Sequence, residues 1–259
     1  TNKTMGKITK IIFMDNVKSR VVVFYFVLLA LLSWTSLLLQ DNESKGALTI
    51  LNIILFVTPL MSLLYTVTYL YDAHDFLVLL LSQPVERRRI WQSLYMGVSS
   101  SLLIAFLLGA GIPMLLYTDW GTGLVLLLMG CVTTQIFVSL AFLTTMLASD
   151  KTRGTGISIL IWLLFTMIYD AVLLYALFLL SDWPVETPLL ALLMLNPLDL
   201  TRFQVILKMD VSAMMGYGGA AFKEFLGAAG GIVVSSLLLL LWIIVPYFLS
   251  LRIFRKKDL

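Results

Sequence analysis

Long apolar runs separated by short polar segments make up most of the chain. Six runs have the ~20 residues that a helix needs to cross the ~30 Å hydrocarbon core of a membrane, and they cover residues 21–39, 47–70, 94–117, 123–148, 156–180 and 225–251. A seventh run, 189–195, is too short to cross and leads into Asn196-Pro197, a helix-capping residue and a first-turn proline. The pattern predicts an all-α membrane protein with six transmembrane helices.

Composition supports this prediction, and the basic residues orient the spans. The chain is 60% hydrophobic and 13% charged, whereas soluble domains carry about 25% charged residues. With the N-terminus placed inside, the inner segments hold 14 of the 18 lysines and arginines. The positive-inside rule therefore predicts a multi-pass protein of the bacterial cytoplasmic (inner) membrane with both termini in the cytoplasm. Because the basic residues follow this pattern, the net charge of +3 does not indicate a nucleic-acid partner.

Residues 1–20, before the first span, are predicted to form a helix along the inner membrane surface. Ile8, Ile11 and Ile12 share one arc of such a helix and lysines occupy the neighbouring arc, which is typical of an interfacial basic helix. A basic tail that only sets the topology is the alternative. No internal repeat or low-complexity tract divides the chain, so residues 1–259 are predicted to form one transmembrane domain.

The loop between the second and third spans carries a helix start followed by three consecutive arginines, 87–89. Ser82 or Gln83 can cap a helix there, with Pro84 in its first turn and Glu86 near its positive end. We predict a short, charged helix whose arginine side chains suit carboxylates on a partner protein. Topology or binding of anionic lipid explains the same arginines equally well.

The segment between the fifth and sixth spans, 181–224, is the longest region outside the predicted spans. Asn196 and Asp199 mark the start of one short helix, and Asp210 marks the start of a second that ends at Gly216. Two short amphipathic helices at the outer surface would form a lid or a docking surface.

Four methionines of this outer region are weak candidates for metal ligands. Thioethers are soft ligands that suit Cu(I), but methionine is also a common filler of apolar packing, and packing is the favoured interpretation. The four residues are Met194, Met209, Met214 and Met215.

Asp170 lies roughly halfway along the fifth run and is the one charged residue inside the six predicted spans. A carboxylate at membrane depth costs a few kcal/mol or more, so it is a functional-site hypothesis by default. Asp170 would line a polar path or a seam between subunits. A structural, hydrogen-bonded carboxyl group is an equally supported alternative.

Several kinds of chemistry are absent from the sequence. No phosphate-binding loop of the type G-x-x-x-x-G-K-[ST] occurs, so a pump built on this chain needs its ATPase in a separate subunit. The one cysteine, Cys131, excludes an intramolecular disulfide and a cysteine-cluster metal site. The one histidine, His74, lies between Asp72 and Asp75, a weak metal motif that is more typical of a solvated loop. Nothing predicts an enzyme.

The order of these parts resembles that of type-2 ABC exporter permeases, which have the ABC type V fold, and within them the NosY-type permeases of nitrous oxide reductase maturation. The resemblance rests on Tyr71-Asp72-Ala73, Leu81-Ser82-Gln83-Pro84 with its arginines, Asp170, Leu195-Asn196-Pro197-Leu198-Asp199-Leu200-Thr201-Arg202, and Asp210-Val211-Ser212-Ala213-Met214-Met215-Gly216-Tyr217-Gly218-Gly219-Ala220. Related permeases often carry a Gly-Glu-Glu-x-x-Gly-Thr stretch after the second span, where this chain has the less acidic His74-Asp75-Phe76-Leu77.

The resemblance implies a permease subunit without a cofactor of its own that works as a homodimer in the lipid bilayer. It implies a NosF-like ABC ATPase that binds ATP and Mg²⁺, a NosD-like periplasmic β-helix protein, and a copper chaperone as a further partner. A copper or sulfur species would be the cargo of maturation of the copper enzyme. The implied ATPase-coupling residues are Gln83, Pro84, Glu86, Arg87, Arg88 and Arg89. The implied periplasmic contacts are Asn196, Asp199, Arg202, Asp210, Met214, Met215 and Tyr217.

Other functions stay open at this point. Within the same family, the chain would export a lipid, a polymer or a small molecule. A secondary transporter is the alternative of another class, and it would be expected to show more intramembrane charges and an internal repeat. A membrane scaffold without transport activity is a third possibility.

Overall fold

Helices form nearly all of the described chain. The computed structural model describes residues 2–39, 43–82, 85–179, 192–209 and 216–256, and no strand occurs within these ranges. The α-helices are α1 (Asn2–Lys18), α2 (Arg20–Leu38), α3 (Glu43–Asp72), α4 (His74–Leu81), α5 (Arg87–Phe106), α6 (Ile112–Tyr117), α7 (Trp120–Leu147), α8 (Lys151–Leu163), α9 (Tyr169–Leu179), α10 (Pro197–Met209) and α11 (Gly216–Lys256). The all-α fold class is confirmed.

Within the described residues, six stretches of helix are long and apolar enough to cross a membrane, as the sequence predicted. They are Arg20–Leu38, Lys45–Asp72, Arg87–Tyr117, Trp120–Leu147, Lys151–Leu179 and Gly230–Lys256. The third and fifth spans each contain a π-helical turn, Leu107–Gly111 and Leu164–Ile168. We call the end of the bundle where Arg20, Arg87 and Lys256 lie the basic end, and the other the opposite end.

The N-terminal helix α1 packs into the bundle at its basic end. Its buried residues are Ile8, Ile12 and Asn16, spaced four apart, whereas Ile11 is 60% exposed. Residues four apart lie on the same side of a helix, so Ile8 and Ile12 pack into the bundle together whereas Ile11 does not. Ile11 faces away from the bundle, and the predicted position of α1 along the membrane surface stays a prediction. The side chain of Asn16 accepts a hydrogen bond from the hydroxyl of Tyr65 on α3. These contacts hold α1 against the spans.

The loop at the basic end differs from its prediction. The short helix there is α4, which is apolar and buries Leu77 and Leu80, while the three arginines begin the third span itself. No separate charged helix forms among the described residues, because the arginines run directly into the buried Ile90 and Trp91 of α5. Gln83 and Pro84 lie outside the described residues.

The segment after the fifth span also departs from prediction. Helix α10 begins at Pro197, as expected, but most of it is buried among α3, α7 and α11, and it does not lie on an outer surface. Gly216, the predicted end of the second short helix, is the first residue of the 41-residue helix α11. Asp210, the predicted start of that second helix, lies outside the described residues.

Candidate functional site: a polar cluster level with the midpoints of two spans

Helix α10 is held level with the midpoints of the fourth and fifth spans. Thr201 lies 3.5 Å from Thr133, oxygen to oxygen, and Thr133 is at the middle of Trp120–Leu147. On the other side, the amide of Gln204 donates to the hydroxyls of Ser235 and Ser236 on α11, at 2.9 Å each. Polar side chains thus join α10 to two spans where only protein can satisfy them.

Asn196 starts this helix and connects it to the fifth span. Its Oδ1 accepts a hydrogen bond from the backbone N–H of Leu198 at 3.0 Å, a helix cap. Its Nδ2 donates to Asp199 Oδ2 at 2.9 Å and to the backbone carbonyl of Phe165 at 3.1 Å. Phe165 is the middle residue of Lys151–Leu179 and belongs to the π-helical turn. One side chain therefore caps α10 and ties it to the fifth span.

Arg202 lies between two carboxylates. Its Nη1 is 3.4 Å from Asp199 Oδ1 and 3.6 Å from Asp170 Oδ2. Asp199 is buried, whereas the side chains of Arg202 and Asp170 are 36% and 35% exposed. The Nε of Arg202 is buried without a hydrogen-bond partner among the described residues. Asp170 lies within the span-length stretch Lys151–Leu179, and the structure adds Arg202 as its partner.

A cavity of about 180 Å³ opens beside this cluster. Its polar lining includes Asn52 and Thr166 together with the charged cluster, and Leu55 and Phe56 supply part of its apolar lining. The volume holds several water molecules or a small solute. A cavity with both an ion pair and apolar surface is able to bind a small polar group within the bundle.

The pKa of Asp199 is raised to about 6, chiefly by burial and also by the charge of Asp170. The Arg202 guanidinium and the hydrogen bond from Asn196 act in the opposite direction. The two carboxylates share one guanidinium, so full ionisation leaves one net negative charge. Protonation of Asp199 near pH 6 removes that charge.

The structure separates the predicted ATPase-coupling residues from this cluster. Arg87, Arg88 and Arg89 form the first turn of α5 at the basic end. Arg89 pairs with Glu86 at 3.0 Å, and Arg87 and Arg88 are exposed. The polar cluster lies half a span away from them.

Two of the predicted periplasmic contacts are buried instead. Asn196 and Asp199 are 0% and 3% exposed, so their side chains serve the cluster and offer no surface to a partner protein. Asp210, Met214 and Met215 lie outside the described residues, as does the side chain of Tyr217.

The remaining metal-ligand candidates pack as hydrophobic residues. Met194 and Met209 are partly buried against the apolar core. In the described part of the chain, no group of three or more His, Cys, Asp or Glu residues is placed to hold a metal ion. His74 lies 3.8 Å from the exposed carboxylate of Asp75, and Asp72 pairs with Lys151 at 2.6 Å.

Asn52, Gln204 and the pairing of Arg202 were not predicted from the sequence. One signal was present, because Asn196, Asp199 and Arg202 follow each other at intervals of three and so share one face of a helix. That spacing indicates a polar face, but it does not identify the fifth span as the surface it meets.

Comparisons with known proteins agree with this architecture. Residues 76–259 match the family model described as "ABC-2 family transporter protein". The chain is 30% identical over 217 residues to the "Probable ABC transporter permease protein NosY" of Stutzerimonas stutzeri, covering 78% of this chain and 76% of that protein. It is 28% identical over 225 residues to the protein of the same name in Pseudomonas aeruginosa, covering 79% and 77%.

Proposed function

Because this chain belongs to the ABC-2 family of transporter proteins, we propose that it is the membrane subunit of an ABC exporter driven by a separate ATPase. The family match covers the third to sixth spans and the helix before them. The sequence lacks a phosphate-binding loop, so ATP and Mg²⁺ would bind to the partner. This chain would itself contribute the path through the membrane.

The observation that carries this proposal is the Asp170–Arg202 pair at membrane depth. Both side chains are about one-third exposed in the single chain. In the most apolar stretch of the fifth span, only 11% of the residues are buried. Charged groups facing lipid are costly and normally face protein or a water-filled cavity. A second copy of the chain would cover this pair, so the proposed exporter is a homodimer with the polar cluster at its seam.

The basic end is proposed to face the cytoplasm and to receive the ATPase. Positive-inside asymmetry supports this orientation. Arg87 and Arg88 are exposed residues in the first turn of α5, and the planar guanidinium group of arginine suits carboxylates such as those of an ATPase. Because α5 is itself the third span, motion of the ATPase would pass directly into a transmembrane helix.

Co-purification with the ABC ATPase of the same host tests this coupling. Changing Arg87, Arg88 and Arg89 to glutamate is expected to abolish the complex, because three attractive charges become repulsive. The matched control is Lys45→Glu with Lys208→Glu, two exposed lysines at the opposite end. Equal ATPase yield from the triple variant and the control would contradict the assignment.

Similarity to two NosY permeases supports a finer proposal. The exporter would act in maturation of the copper site of nitrous oxide reductase, with a NosF-like ATPase and a NosD-like periplasmic protein. A copper chaperone and a copper or sulfur cargo belong to the same proposal. Export of a lipid, a polymer or another small molecule is the second candidate. The cavity has room for a small polar group, and no group of three or more His, Cys, Asp or Glu residues is placed to hold a metal ion in the described chain.

Deleting the gene in its own host distinguishes the two candidates. Nitrous oxide reductase is expected to accumulate without its full copper complement and to recover with the wild-type gene. Asp170→Leu should fail to restore it, whereas Asp15→Leu, the same change at an exposed position of α1, should succeed. Copper-replete enzyme in the deletion strain would favour the other cargo classes.

A further inference from the structure

A groove of about 570 Å³ opens at the basic end, between the first turn of α5 and the last turns of α11. Its lining contains four cationic side chains, Arg88, Arg252, Arg255 and Lys256. All four are exposed. No carboxylate of the described residues lies within 4.0 Å of them. The groove therefore concentrates positive charge that the described chain does not neutralise.

An apolar stripe on α11 leads into this groove. Leu241, Val245 and Phe248 are about half exposed, at 52%, 47% and 55%. They precede Arg252 and Arg255 at alternating intervals of four and three residues, so all five share one face of the helix. Phe248 also lines the groove. One helix face thus presents apolar surface along the span and cationic groups at its end.

We propose that this groove binds the phosphate headgroup of an anionic phospholipid, with the acyl chains lying along the stripe of Leu241, Val245 and Phe248. Cationic pockets beside spans bind anionic headgroups by charge and hydrogen bonds. The groove is several times the volume of a single phosphate group, which leaves room for a glycerol backbone or a headgroup alcohol.

Two other occupants fit the surface less well. An acidic segment of a partner protein would neutralise the cations but leave the apolar stripe uncovered. A second copy docked on this face through a twofold axis would bring two sets of like charges together. An anionic lipid would pair its headgroup with the cationic groove and cover the apolar stripe with its acyl chains.

Lipid binding by the purified full-length protein tests the proposal. Native mass spectrometry after delipidation, with phosphatidylglycerol or phosphatidylcholine added back, is expected to show retention of phosphatidylglycerol by the wild type. Arg252→Gln with Arg255→Gln should weaken that binding ~30-fold, as expected for the loss of two cations at an anionic headgroup. Lys7→Gln with Lys10→Gln removes two exposed charges from the same end and should leave binding unchanged.

Each other outcome identifies a different occupant. Equal phosphatidylglycerol retention by both double variants overturns the proposal, since generic charge would then suffice. Displacement of the lipid by millimolar inorganic phosphate would indicate a soluble-anion site and overturn it as well. Loss of the dimer mass in Arg252→Gln with Arg255→Gln would assign the groove to a second copy. Co-purified ATPase should be unaffected by this variant, because Arg252 and Arg255 belong to the groove and not to the proposed coupling site, whereas Arg88 belongs to both.

Discussion

Asp199 makes the stability of α10 depend on pH. Its pKa of about 6 in the folded chain lies above the ordinary aspartate value of 3.8, chiefly because the group is buried, so protonation favours the folded state. That stabilisation is fully present below about pH 4 and is lost as the pH rises through 6. The shift corresponds to at most about 3 kcal/mol. Wild-type protein should therefore unfold at a higher temperature at pH 5 than at pH 7.5, and Asp199→Asn should flatten this dependence.

Substitution of Asp170, on the fifth span, tests the same cluster. Its charge is the second cause that raises the pKa of Asp199, so Asp170→Asn should move the stability loss to lower pH. Thermal unfolding in detergent between pH 4 and 8 measures both effects. Asp15→Asn, at an exposed site, should reproduce the wild-type profile. A pH profile in Asp199→Asn that equals the wild-type profile would show that protonation of this carboxyl group does not stabilise the folded state.

At the scale of elements, close contact between α5 and α7 depends on the absence of a side chain at Gly130. A Cβ there would overlap Cζ of Phe106, a buried residue, and would lie 2.8 Å from each of its Cε carbons. Gly130→Ala should destabilise the bundle by about 1–3 kcal/mol through overpacking. Phe106→Leu removes the outer ring carbons and, when made alone, destabilises the bundle because it leaves a cavity.

A double-mutant cycle isolates this contact. The double variant Gly130→Ala with Phe106→Leu should be less destabilised than the sum of the single variants, because each change relieves the defect of the other. Unfolding temperature in detergent is the measurement. Gly156→Ala serves as the control, since a Cβ at Gly156 meets nothing within 4 Å. Strict additivity would show that the ring moves away without cost.

What could be predicted from the sequence depends on how local each property is. A span needs only its own ~20 apolar residues, so all six were found. The burial of α10 was not predictable, because Asp199, Arg202 and Gln204 resemble surface residues until Phe165 and Ser235 are placed beside them. Asp170 was recognisable because a charge inside an apolar run stands out, whereas its partner lies in another segment of the chain.

At the scale of the whole molecule, the proposed homodimer predicts which surface contacts its copy. Met167 and Leu174 lie three residues before and four after Asp170 and are 56% and 67% exposed. In a Cys131→Ser background, Met167→Cys and Leu174→Cys should form intermolecular cross-links in membranes. Leu31→Cys, on the first span and 61% exposed, should remain monomeric.

Gel mobility after treatment with a short bifunctional maleimide gives the result directly. Cross-linking at Leu31→Cys alone would place the seam on the first span and leave the Asp170–Arg202 pair without its proposed cover. Equal cross-linking at all positions would report random collision in the membrane.

The 41 residues of α11 make it about 60 Å long, twice the thickness of the hydrocarbon core. Pro246 interrupts its hydrogen bonding near the basic end, at the kind of position where helices bend. From Gly216 to Pro246 the helix extends about 45 Å. A bend of ~10° at Pro246 would therefore carry the far tip sideways by about 8 Å, as a lever does, so that a small rotation beside α5 becomes a large displacement across the membrane.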